Sequence, residues 1–235
     1  MEKKNVILML PELLLILLLA SCKHDPDLSA LPVNPDPPVP TVGCDPDSVY
    51  FANTVFPLIQ SSCAMSGCHD AATAREGVVL TDYYRIMITG EVNPGNAGDS
   101  KIYEVLSGGG EERMPPSPAQ PLTTDQKALI AKWINQGAQN NACTETNCDT
   151  LNVTFAGTIM PMIQTNCTGC HSGASPGGGI FLTNYAQVET IATTGQLMGV
   201  VKHLTGYQPM PPSGQLSDCQ IAQLNKWIAN GKPNN

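Results

Sequence analysis

The feature that most constrains this chain is an internal duplication. Residues 44–63 and 148–167 are identical at ten of twenty positions, at an offset of 104. Three further stretches match in the same order, and four ordered blocks are not expected by chance. Such self-similarity indicates that one structural unit is repeated. We therefore expect two similar domains, at residues 44–143 (the first unit) and 148–235 (the second unit). The three later blocks, at offsets of 102, 96 and 94, begin at Gly77 and Gly179, Met114 and Met210, and Lys132 and Lys226.

Each unit is predicted to be mainly α-helical. The last block combines a capping box, apolar residues at helical spacing, and a glycine at the expected C-terminus of the helix. An earlier helix is expected over residues 48–60, bent at Pro57, and shorter helices over 100–106 and 186–192. The rest is rich in Gly and Pro and should form loops. The signals of the last block are Thr123, Gln126 and Gly137, and Ser217, Gln220 and Gly231.

Residues 1–21 are predicted to be a signal peptide. Lys3 and Lys4 precede an apolar run, and the uninterrupted part of that run is too short to span a membrane. The stretch Leu19-Ala20-Ser21-Cys22 resembles a bacterial lipobox, in which the cysteine is lipidated. The alternative is an ordinary cleaved signal peptide beside a cysteine. We expect a lipid anchor on Cys22, and hence a location in the cell envelope, facing the periplasm or the cell surface.

Residues 22–43 are predicted to be a tether, because proline recurs there without an apolar period. The formal net charge is −8, and it stays −8 when residues 1–21 are removed. Nucleic-acid binding needs clustered Lys and Arg, so this charge argues against it. A basic redox partner would suit such a chain.

The spacing of the cysteines indicates which cofactor the chain could bind. Cys167-Thr-Gly-Cys170-His171 is a C-x-x-C-H sequence, which is typical of covalent haem attachment. On a helix, both sulfurs could bond the haem vinyl groups while the histidine on the same face reaches the iron. A thioredoxin-like dithiol would need a βαβ context, and a zinc site would need two more ligands.

The first unit carries the longer form Cys63-Ala-Met-Ser-Gly-Cys68-His69. The repeat offset falls from 104 at Cys63 to 102 at Cys68, so two extra residues lie between the cysteines. Both cysteines and the histidine keep their counterparts in the second unit, and the insertion must loop out of the helix. The alternative is a copy that has lost its haem and kept a disulfide.

Methionine is the expected second iron ligand. Met114 and Met210 correspond between the repeats, and each stands before Pro-Pro. A thioether is a soft donor that suits haem iron and raises its potential. His203 is an alternative ligand in the second unit but has no counterpart in the first. The other methionines, Met65 among them, are interpreted as core filler.

These motifs resemble class I-type cytochrome c domains of bacterial lipoproteins. The resemblance rests on CTGCH with PMPPSGQLS and KWIANG, and on SGCH with RMPPSPAQPLT and KWINQG, and it covers nearly all of residues 44–235. It implies two small helical domains, each wrapped around one covalent haem c. It further implies proximal ligands His69 and His171, distal ligands Met114 and Met210, and thioethers from Cys63, Cys68, Cys167 and Cys170.

Four cysteines remain, namely Cys44, Cys143, Cys148 and Cys219. An even remainder in an oxidising compartment suggests disulfides, with three possible connectivities. Cys44 and Cys143 bracket the first unit, and Cys148 and Cys219 lie in the second. We choose pairing within each unit.

The predicted function is electron transfer between redox proteins at the bacterial cell envelope, by a carrier rather than an enzyme. Protein ligands on both faces of each iron would leave no position for a substrate. A dihaem peroxidase would need a vacant face on one haem, whereas the two units offer the same ligands. A haem-bearing subunit of a larger envelope complex is the third possibility. Tyr83 and Tyr185 are expected in the core rather than on haem propionates.

Overall fold

The fold is mainly α-helical. A computed structural model describes residues 41–108, 112–117, 119–146, 148–212 and 214–235. The predicted signal peptide, Cys22 and the tether as far as residue 40 lie outside the described residues. The helices of the described segments are α1 (Phe56–Ser62), α2 (Tyr83–Thr89), α3 (Lys101–Ser107), α4 (Thr124–Asn135), α5 (Met160–Asn166), α6 (Tyr185–Thr193), α7 (Gln196–Val201) and α8 (Asp218–Ala229).

The first helix of each unit begins with a π-helical turn. Phe51–Val55 precedes α1, and Phe155–Ile159 precedes α5. Proline at the start of α1 and of α5 is compatible with a first helical turn, which needs no internal N–H donor there. The expected start at Ser48 is wrong. Asp45 holds that stretch in a turn, accepting hydrogen bonds from the Asp47 N–H at 2.9 Å and the Ser48 hydroxyl at 3.3 Å.

The closing helices α4 and α8 confirm the sequence prediction in detail. Thr123 and Ser217 cap them, and both halves of each capping box are formed. Gly137 and Gly231 follow the helix ends with φ of 97° and 83°, a left-handed conformation that glycine adopts at no steric cost. The predicted short helices at 100–106 and 186–192 are α3 and α6, within one residue at each end. Helices α2 and α7 were not predicted.

The buried apolar residues form two clusters, one in each unit. Phe51 packs on Trp133 in the first, and Phe155 packs on Trp227 in the second, with ring centroids 5.4 and 5.7 Å apart. Both tryptophans are fully buried. The equivalent tyrosines also match. The Tyr83 and Tyr185 hydroxyls donate to the backbone carbonyls of Ala138 and Lys232, at 2.8 and 2.7 Å, and each partly buried ring packs against the core of its unit.

A short parallel sheet closes the first unit. Strand β1 (Thr41–Val42) pairs with β2 (Cys143–Thr144), so the last residues of the predicted tether belong to the folded part. Cys44 forms a disulfide with Cys143 beside this pairing. Cys148 forms a disulfide with Cys219 in the second unit. Both are the within-unit pairs chosen from the sequence.

None of the helices among the described residues is long and apolar enough to cross a membrane.

Candidate cofactor-binding site

The two Cys-His motifs lie in turns directly after α1 and α5. The expectation that they sit on a helix is therefore wrong, since α1 ends at Ser62 and α5 at Asn166. The second motif nevertheless keeps helix-like spacing. The His171 N–H donates to the Cys167 carbonyl at 2.9 Å, a bond that spans four residues as in an α-helix.

The insertion in the first motif loops out as predicted. The His69 N–H donates to the Cys63 carbonyl at 3.2 Å, which is the same bond as in the second motif with two more residues enclosed. The next bond is also repeated, because Arg75 and Gly177 donate their N–H groups to the carbonyls of Cys68 and Cys170. The first and last residues of the two motifs therefore have the same backbone arrangement.

Both motif histidines are oriented in the same way. Nδ1 of His69 lies 3.2 Å from the Val78 carbonyl oxygen, and Nδ1 of His171 lies 3.1 Å from that of Ile180. A carbonyl can only accept, so Nδ1 carries the proton and donates it. In the neutral ring with this hydrogen bond, Nε2 is the nitrogen that keeps a free lone pair. This is the usual arrangement of a metal-ligating histidine, whose other nitrogen is fixed by an outer hydrogen bond.

The two candidate methionines are also held alike. The Met114 N–H donates to the Val105 carbonyl at 2.9 Å, and the Met210 N–H to the Val200 carbonyl at 3.1 Å. Each methionine is half-buried, and each precedes a cis proline. His203, the alternative ligand, follows α7 and is exposed.

A cavity of about 970 Å³ joins the predicted residues of the first unit. Cys63, Cys68, His69 and Met114 all lie on its wall. Apolar side chains make up much of the remainder, and the size is that of a typical small-molecule or cofactor pocket. The charged residues on the wall are Arg75, Glu76 and Lys101, and the apolar ones include Val78, Leu80, Ile102, Val105, Leu106 and Leu122.

The residues of the second unit are arranged differently. Cys170 lies on the wall of the same cavity, whereas Cys167, His171 and Met210 are not among the described residues that line it. Cys167 packs against the core of the second unit. All four predicted residues of the first site thus line one cavity, and Cys170 is the one predicted residue of the second site on the same wall.

The first thiol of each motif is poorly suited to ionise. Desolvation by burial raises the pKa of Cys63 and that of Cys167 to about 12, and the second thiol of each motif adds to the shift. Reactive dithiols and zinc ligands depend on a thiolate, which burial in apolar surroundings disfavours. These two thiols therefore stay protonated at neutral pH.

The second motif is seated directly on the first unit. A side chain at Gly169 would overlap the Ser61 backbone, so only glycine allows this approach. The Cys170 Sγ lies 3.4 Å from the Ser61 carbonyl oxygen and 3.3 Å from the Met65 Sδ. Sequence reasoning missed this role of Met65. The signal available was its place in the insertion, since filler gives no reason for extra residues there.

Among the described residues, no group of three or more His, Cys, Asp or Glu side chains is placed to hold a metal ion. No protein-family model, curated protein or solved structure matches the chain at a significant level.

Proposed function

We propose that this chain is a dihaem c-type cytochrome that carries electrons between redox proteins at the bacterial cell envelope. The observation that carries the proposal is the shared cavity wall of Cys63, Cys68, His69 and Met114. Two thiols, an imidazole and a thioether around an apolar cavity fit a covalent haem and no common zinc site. In this proposal each unit is a small helical domain around one haem.

The residues divide the work of holding the cofactor. Cys63 and Cys68 would form thioether bonds, and Nε2 of His69 and Sδ of Met114 would bind the iron. Haem supplies one-electron chemistry when bound. The hydrogen bond from His69 Nδ1 to Val78 supports this role, because it fixes the ring and raises its basicity as a ligand. Cys167, Cys170, His171 and Met210 would do the same in the second unit.

The ligand set favours a carrier over an enzyme. With a histidine and a methionine both bound to the iron, a substrate would have no free coordination position. The same set occurs in both units, whereas a peroxidase would need one open face. The formal net charge of −8 supports a partner with a basic docking surface, and does not support nucleic acid.

The first prediction concerns haem content. Protein made in a bacterium able to mature c-type cytochromes should keep two haems per chain after acid-acetone extraction, because thioether bonds survive it. A pyridine haemochrome spectrum and an intact mass measure the count. The pair Cys63→Ser with Cys68→Ser should keep one haem, as should Cys167→Ser with Cys170→Ser, while the control His203→Ala should keep two. A wild-type chain without covalent haem would refute the proposed function.

The second prediction concerns the lipid anchor proposed on Cys22. The Cys22→Ser variant should move from the membrane fraction to the soluble periplasm, because two or three acyl chains anchor a protein stably and none remains. Fractionation with an acyl mass measurement tests this. Conservative replacement of Ser21 by alanine serves as the control and should leave the protein membrane-bound. Wild-type protein without an acyl mass would contradict the anchor alone, and not the cytochrome proposal.

A further inference from the structure

Met65 connects the two attachment motifs. It lies among the four residues that separate Cys63 from Cys68, and its Sδ is 3.3 Å from the Cys170 Sγ of the second unit. The corresponding stretch of the second motif is two residues shorter. The extra length of the first motif is therefore used for a contact with the other unit.

The surroundings of this contact hold it in place. The Ser61 hydroxyl donates to the Thr165 carbonyl at 2.9 Å, and Gln126 Nε2 donates to the Gln164 carbonyl at 2.9 Å. Ser61 is buried, so its bonds form away from solvent. Residues 168–170 complete a wall of the first cavity. Helices α1 and α4 of the first unit thus seat the second attachment turn against the first site.

We propose that the two cofactor sites form one electrostatically coupled pair, with Met65 of the first unit packed at the edge of the second cofactor. This inference rests on the proposed function. Cys170 Sγ is the atom that would bond the second haem, so a side chain in contact with that sulfur lies at the edge of that haem. A charge placed at one site acts on the other through a protein interior of low dielectric, where such interactions are strong.

The coupling means that reduction of one site would affect the reduction of the other. With haem bound, each site would accept one electron from a reduced redox partner, which would be oxidised by one electron, and no bond would form or break. The charge of that site falls by one unit. Because the neighbouring site is in contact, its own reduction then becomes less favourable.

The test places a charge in the first unit and measures the second haem. The background is a Cys63→Ser, Cys68→Ser protein, in which the second haem is the only one attached. In this background Met65→Glu should lower the midpoint potential of the second haem, because a nearby carboxylate favours the ferric form. Met65→Leu keeps the size without charge and should leave the potential unchanged. Leu151→Glu puts the same charge on the second unit itself, at a residue 85% exposed, and should shift the potential less. Equal potentials for the Met65→Glu and Met65→Leu proteins would overturn the inference.

A second measurement uses wild-type protein and does not depend on those variants folding. During a redox titration followed by electron paramagnetic resonance, each remaining ferric signal should become narrower and saturate at lower power as its neighbour becomes diamagnetic. Linewidths and saturation that stay constant throughout the titration would show that the two haems do not interact, and would overturn the inference. Absence of covalent haem would instead defeat the proposed function, so the two failures are distinguishable.

Discussion

Replacing Met114 by alanine should open the first cofactor site to external ligands. The side chain lies on the same cavity wall as His69, and its backbone is fixed by the bond to Val105. In the proposed cytochrome, removing the thioether would leave the iron without its second protein ligand. We expect the Met114→Ala protein to bind one equivalent of carbon monoxide per chain in the reduced state, and to lose part of the near-infrared band of His/Met haem.

The same change at Met210 should open the second site, and Met87→Ala is the matched control. Met87 is a partly buried methionine of the first unit that lies outside the cavity, so its loss should leave carbon monoxide excluded. Met114→His should instead keep the site closed and lower its potential, since thioether ligation raises the potential relative to imidazole. Wild-type protein that binds carbon monoxide stoichiometrically and turns over peroxide would favour the peroxidase alternative.

Removing the Cys44–Cys143 disulfide should cost about 4 kcal/mol of the free energy of unfolding. The bond joins residues 99 apart, and cross-linking a loop of that length removes much entropy from the unfolded chain. A Cys44→Ala, Cys143→Ala protein should therefore unfold at a lower urea concentration, and the midpoint and slope of the transition together give the free energy of unfolding.

Two comparisons make this measurement specific. The Cys148→Ala, Cys219→Ala protein, whose bond joins residues 71 apart, should lose about as much, because loop entropy varies slowly with length. Reductant should destabilise the wild type and have little further effect on a variant that lacks both disulfides. A loss below about 1 kcal/mol of unfolding free energy for the Cys44–Cys143 pair would contradict the expectation that this disulfide stabilises the first unit.

The best sequence predictions were those that depended on local signals. Thr123 with Gln126, and Ser217 with Gln220, specify helix starts through bonds within one turn, and both capping boxes form. The repeat was equally informative, because it required the first motif to loop out between Cys63 and Cys68. The backbone bond from His69 to Cys63 has that form.

The errors arose where local and tertiary effects compete. The sequence predicts a helix from residue 48, but the Asp45 carboxylate holds that stretch in a turn by accepting bonds from Asp47 and Ser48. The motifs were assigned to a helix from their spacing alone, which a single turn satisfies as well. Helix α2 is capped by Asp82, whose side chain accepts from the Arg85 N–H. That cap could have been read from the sequence.

The contact between the units could not be predicted. Gly169 gave no sign of its purpose, because any residue fits the variable positions of a C-x-x-C-H sequence. Its requirement for glycine depends on the Ser61 backbone, more than one hundred residues away. The place of Met65 in the insertion indicates a special role, but its partner Cys170 lies more than one hundred residues away and could not be identified from the sequence. Such roles exist only once two distant surfaces have met.

The β1–β2 pairing also determines how the molecule carries mechanical load. Tension on the chain before Thr41 enters β1 at its N-terminus and leaves through the C-terminal end of β2. Parallel strands pulled from opposite ends are loaded in shear, so their hydrogen bonds resist together. Beyond them the Cys44–Cys143 bond offers a covalent path to residue 148. Residues 45–142 thus form a loop that bears no force, and a chain stretched between its two ends would not unravel the first site.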